Sequence, residues 1–194
     1  NSIAALAIVN TFVAACAAGA AWMLIEWVMK GHPSMLGLVS GVVAGLVAIT
    51  PAAGFAGPMG SIALGIVAGV LCFGFVAYVK NMFGLDDSLD VFGVHGVGGI
   101  IGAIGTGILV NPALGGAGIP DYLSQPGTLQ VAEYVFSTAV MAQIKAVLFT
   151  VVFSGVGSYI LYKLVDLTIG LRVKQEVERE GLDLAEHSER AYNY

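Results

Sequence analysis

The chain has 194 residues, of which 57% are hydrophobic and only 11% are charged. A soluble domain carries about 25% charged residues, so a water-soluble globular protein is excluded and an integral membrane protein is implied. The formal net charge of −5, with no basic run, excludes a nucleic-acid partner.

The first residue is Asn1, and the apolar pattern is already running at Ile3 with no signal peptide ahead of it, as in a processed product or a fragment. A crossing helix needs about 20 apolar residues. It must be a helix, because an open strand edge has no hydrogen-bond partner in hydrocarbon. Five segments qualify. The first, 3–29, ends near Glu26 and Lys30, four apart in the favourable order, which reads as an interfacial pair. "KGHPS" (30–34) breaks it from the second span, 35–52, which carries Gly41 and Gly45 four apart and ends in Thr50 and Pro51. The Thr50 hydroxyl either bonds back to its own helix or faces a cavity. "TPAAGFAGP" (50–58) separates the third span, 58–79. Cys16 and Cys72 lie in apolar runs without zinc spacing and read as small core residues.

"KNMFGLDDSLD" (80–90) is an acidic hinge before the fourth span, 91–110. Asp87 and Asp90 are expected to cap that helix, since carboxylates satisfy free amides at a helix N-terminus. The stretch supplies too few ligands for a metal. The fourth span is dense in glycine, from Gly93 to Gly107, as helices in close backbone contact require; no strand precedes it, so a phosphate loop is excluded. "NPALGGAGIPDYLSQPG" (111–127) is a long loop. The fifth span is centred on 146–165, within a helix expected to cover 129–170. A charged tail, 171–194, follows the transmembrane domain, 1–170.

Lys30, Lys80, Lys163 and Arg172 fall on the same side as the C-terminus, and the loops 50–57 and 111–127 hold no Lys or Arg. The C-terminus is therefore expected in the cytoplasm; Lys145 is the exception.

His95 is the residue that composition does not explain. It sits five residues into the fourth span, where an imidazole's donor and acceptor both need partners. The bland reading is a bond to a neighbouring helix. An ionisable residue inside a span marks a functional site by default, here a group lining a pathway. His32 and His187 read as solvated. Ser61 and Ser154 have no histidine near in sequence, so no hydrolase, and no enzyme, is expected.

Three stretches in order, "GLVAITPAAGF", "DDSLDVFGVHGVGGIIG" and "GLRVKQEVEREGLDLAEHSERAY", resemble the ammonium transporter (Amt/Mep/Rh) family, and its prokaryotic Amt branch in particular. The resemblance implies an all-α fold of eleven spans, two inverted five-helix repeats and a long last helix, of which this chain resembles spans seven to eleven. It implies a homotrimer in the cell (inner) membrane with one narrow hydrophobic pore per subunit, and calls for no cofactor. His95 matches the second of twin pore histidines, whose partner belongs to the missing N-terminal half. Thr50 matches a pore threonine and Val91 a pore-lining position, with Val43 beside it; Asp87 matches the residue capping the inner end of the repeat. The tail resembles a segment that relays inhibition by a trimeric PII-type signal protein, with Arg172, Glu180, Gly181, Asp183 and Tyr192 as contacts. The alternative is a membrane receptor that senses ammonium and docks such a protein.

Overall fold

A computed structural model describes residues 2–121 and 131–191. It divides into two compact units, residues 1–148 and 149–194.

The first unit is built on alanine and glycine. Helix α1 (Ser2–Lys30) meets α2 (Met35–Ile49) and α3 (Pro58–Gly74) along Ala14 and Ala18. A Cβ added to Gly45 of α2 would lie 2.6 Å from the Ala14 carbonyl oxygen, and one on Gly65 of α3 2.4 Å from the same atom. The three backbones touch, which side chains larger than these would prevent. Ala14, Ala44, Ala48, Ala52, Ala56 and Ala68 are fully buried, and the larger core members are Ile49, Leu64, Trp22, Phe73 and Val94. The Trp22 and Phe73 rings meet edge to face at 5.7 Å.

Helix α3 runs on through a π turn, Phe75–Val79, into one further turn, α4 (Lys80–Met82). A second π turn, Phe92–Gly96, leads into α5 (Val97–Leu109). Gly102 of α5 lies so close to α2 that an added Cβ would be 2.1 Å from the Ala48 carbonyl oxygen.

Beyond α5, β1 (Ile119–Pro120) pairs antiparallel with β2 (Val131–Ala132), Ile119 opposite Ala132. Helix α6 (Phe136–Thr168) follows. The helix expected from residue 129 therefore begins at Phe136. The pairing with β1 holds 131–132 extended, and the Tyr134 hydroxyl donates to the Gly107 carbonyl at 2.9 Å. Helix α2 also stops short of its expected end at 52: the Thr50 amide turns to the Val47 carbonyl, and Pro51 has no amide to continue the ladder. With 15 residues, α2 is about 22 Å long, less than the roughly 30 Å of a bilayer core. Among the described residues, Ser2–Lys30, Pro58–Met82, Phe92–Leu109 and Phe136–Thr168 have the length and apolar composition to cross a membrane.

The second unit contains the C-terminal part of α6 and two short helices, α7 (Gln175–Glu180) and α8 (Leu182–Ala185). Its part of α6 exposes Phe149, Val152, Phe153 and Val156, an apolar surface suited to lipid. In the tail, Arg172 grips Glu178 with two bonds of 2.6 and 3.1 Å. Gly181 ends α7 at φ +111°, and the Asp183 carboxylate accepts the Ala191 amide at 3.0 Å.

Candidate functional site

His95 is placed by a local break in helix geometry. In its π turn the Val97 amide reaches back five residues to the Phe92 carbonyl. Such turns insert one residue into a helix and concentrate at functional sites. The neighbouring π turn does the same, Lys80 donating to the Phe75 carbonyl. The two segments pack against each other. Gly93 leaves no room for a Cβ, which would be 2.6 Å from Val76 Cγ2, and the Phe75 and Phe92 rings lie 5.5 Å apart.

The hinge before them is tied by charge. The Asp87 carboxylate accepts the Gly93 amide at 3.1 Å, satisfying a donor of the first turn. Asp90 behaves otherwise. It stands in the left-handed region, φ +56°, and its carboxylate accepts from the Lys80 ammonium. Its main-chain carbonyl takes the Val94 amide at 2.8 Å. The expected cap at Asp90 is thus a backbone cap, because Lys80 lies within reach of the carboxylate and claims it.

The imidazole of His95 is exposed on this chain, as is Val91 at 54%. Val94 belongs to the buried cluster of Trp22, Ala44, Cys72 and Phe73, and Val43 packs against that cluster half-buried. Val43, Val47 and Thr50 follow each other at helical spacing on one stripe of α2. Gly98, three residues past His95, approaches that stripe at Val47. Thr50 is exposed, and its hydroxyl donates to the Leu46 carbonyl at 2.7 Å, so its proton is committed to its own helix. The oxygen's lone pairs still face outward as acceptors.

At the end of α1, Glu26 is nearly buried and its carboxylate is fully used. It accepts from Lys30 at 3.1 Å and from the Ser34 amide and hydroxyl at 3.1–3.2 Å. Ser34 in turn caps α2 by accepting the Gly37 amide. Two residues escaped the sequence reading. Asn10 is fully buried in α1 and donates to the Ala53 and Ala56 carbonyls at 2.8 and 2.7 Å; its Oδ1 has no partner among the described residues. An amide in an apolar run was signal enough. Lys80, read only as a topology marker, carried no local sign of its bonds to Asp87 and Asp90.

In the tail, Gly181 closes α7 by donating to the Val177 carbonyl at 3.1 Å, and Glu180 is exposed. The Arg172 guanidinium holds the Glu178 carboxyl below its ordinary range, and the Ala191 amide does the same for Asp183. Tyr192 lies outside the described residues.

The chain matches the model of the Ammonium Transporter Family over residues 1–192. It is 45% identical over 193 residues to an ammonium transporter of Aquifex aeolicus, covering all of this chain and 43% of that relative. Among solved structures it is similar to Mep2 of Saccharomyces cerevisiae, with TM-score 0.78 and 28% identity, covering all of this chain and 43% of that one. A structure described as a sensor Amt protein shares the fold, with TM-score 0.81 at 24% identity over 96% of this chain and 42% of that one. The chain thus spans less than half the length of the relatives it matches, the share of one half of a two-repeat fold. It belongs to the ammonium transporter family.

Proposed function

We propose that this chain forms one wall of a membrane pathway for ammonium or ammonia, with His95 as a pathway group and Val91, Val43 and Thr50 along the same wall. The observation that carries the reading is His95 itself: an imidazole on a π turn inside an apolar span, exposed on this chain. The family and the transporter relatives support transport rather than catalysis.

The physical case concerns charge. A bare ammonium ion in hydrocarbon loses its solvation, at a cost of several kcal/mol even after relaxation, whereas neutral ammonia does not. An apolar wall therefore favours the neutral molecule, and the proton needs its own route. An imidazole donates and accepts hydrogen bonds and changes protonation near neutrality more readily than other side chains. The second wall belongs to the remainder of the fold, and the complete protein is a homotrimer in the cell membrane with its C-terminus in the cytoplasm. Aspartates 87 and 90 hold the helix that presents His95.

The test is the ammonium-driven current of the complete transporter in proteoliposomes. His95→Ala is expected to abolish it, even where some methylammonium uptake persists. A current equal to wild type would remove His95 from the proton route.

A second reading concerns the tail. Its residues Arg172, Glu180, Gly181, Asp183 and Tyr192 form a contact surface for a PII-type signal protein. The bond from the Ala191 amide to the Asp183 carboxylate, which folds the segment after α8 back onto that helix, favours it. Deleting 175–194 from the complete protein should weaken PII binding or uncouple it from transport, measured by co-purification and by inhibition of the current. Unchanged binding and inhibition would leave the tail a solvated end.

A further inference from the structure

The backbone that carries His95 is held by a side chain from the preceding helix. Lys80 follows directly on the Phe75–Val79 π turn. One inserted residue turns everything beyond it by about 100° around the helix axis, and the turned Lys80 meets the 87–90 loop. Its ammonium donates to the Asp87 carbonyl at 3.0 Å and to the Asp90 carboxylate. The two side chains are 18% and 26% exposed, so solvent screens this pair less than one on an open surface. Asp90 stands at φ +56°, in the left-handed region that aspartate adopts more readily than most residues with a side chain.

From this turn two bonds run to the residues immediately before His95. The Asp87 carboxylate takes the Gly93 amide at 3.1 Å, and the Asp90 carbonyl takes the Val94 amide at 2.8 Å. The contacts of Phe75 with Phe92 and of Val76 with Gly93 are apolar and set the distance between the two segments. The bonds of the ammonium are directional and set their register.

We propose that Lys80 is a positioning residue for transport: by fixing the Asp87–Asp90 turn it fixes the height and rotation of His95 on the pathway wall. The inference rests on the transport reading above. Lys80 meets no substrate in this role. It acts through the geometry of the imidazole, where a displacement of about 1 Å is enough to change a rate by an order of magnitude or more.

The experiment uses the complete transporter in proteoliposomes, with ammonium-driven current recorded over a concentration series and scaled to folded protein in the vesicles. Lys80→Met is expected to lower the maximal current about tenfold, with little change in the half-saturating ammonium concentration. Asp90→Asn removes the partner charge and keeps a residue that tolerates left-handed backbone; it should lower the current as far. The double variant should lose no more than either single one, and Lys80→Arg should keep most of the current. Wild-type currents in Lys80→Met and Asp90→Asn, or losses that multiply in the double variant, would overturn the role of Lys80 alone. If Lys80→Met fails to reach the membrane, Asp90→Asn and Lys80→Arg decide: loss in the first with retention in the second supports the proposal, and an unaffected Asp90→Asn overturns it. A wild-type protein without ammonium-dependent current would overturn the transport reading and this one together.

Discussion

Asn10 shows how one amide can organise a helix junction. Its two donated bonds pin the Ala53 and Ala56 carbonyls, which lie in the turn between α2 and α3, to the N-terminal third of α1. Side-chain hydrogen bonds inside membrane proteins average about 0.6 kcal/mol each, and two orphaned carbonyls add a desolvation penalty. Asn10→Ala should therefore destabilise the complete protein by about 1–3 kcal/mol, seen as a lower melting temperature in detergent. In the tail, the carboxyls of Glu178 and Asp183 titrate below their ordinary range because Arg172 and the Ala191 amide favour the charged forms. A depressed folded value means that the stabilisation is present above the unfolded carboxyl pKa, about 4, and is lost as pH falls through the folded values. The segments these bonds tie, 172–178 and 183–191, should stay protected against hydrogen exchange at pH 7 and lose protection in acid below about pH 4, the first of them earlier in high salt, since the Arg172 pair is exposed.

Helices differ in how openly the sequence announces them. The long apolar runs of α1, α3 and α6, and the glycine density of α5, were legible because composition alone dictates a helix in lipid. The stop at Ile49 was half legible, since Pro51 was visible but the amide turn at Thr50 was not. The strand pair of Ile119–Pro120 with Val131–Ala132 was not legible, because four residues carry no period. Neither were the two π turns: an extra residue in a helix leaves no compositional trace, and yet it decides where His95 and Lys80 point. In the acidic hinge the Asp87 carboxylate meets the Gly93 amide while Asp90 turns to Lys80, a difference set by a residue seven or more positions away that no local pattern announces. Glycine packing makes a sharp contrast within α5. An alanine at Gly102 would drive its methyl into the Ala48 carbonyl, whereas Gly99 has open space around it. Gly102→Ala should cost about 1–3 kcal/mol and lower the thermal stability of the complete protein.

At the scale of the whole molecule, the exposed His95 and Val91 make sense beside the share of the relatives that this chain covers, 43% of the Aquifex transporter. In transporters built from inverted repeats the route runs between the repeats. On the proposed function, vesicles containing only these residues should take up no methylammonium above protein-free vesicles, while the complete protein does. Uptake by the isolated chain would mean that α1 to α6 enclose a route by themselves.

Ribosomes deliver a chain from its N-terminus, and the alanine–glycine seam has a bearing on that order. Asn10, Ala14 and Ala18 find their partners in the next two helices of the chain and the turn between them, at Ala53, Gly45, Gly65 and Gly69. Contacts between near neighbours in sequence close quickly, because little loop entropy is lost in forming them. The first three helices can therefore lock together while α6, with Ala139 its one buried residue, is still being made. Ribosome-bound intermediates arrested at residue 121, with α3 clear of the exit tunnel and α6 not yet made, should already shield a cysteine placed at Ala14 from a membrane-permeant thiol reagent in a chain whose Cys16 and Cys72 are replaced by serine. Full labelling at that stage, with shielding only after α6 has emerged, would mean that the seam waits for the rest of the chain.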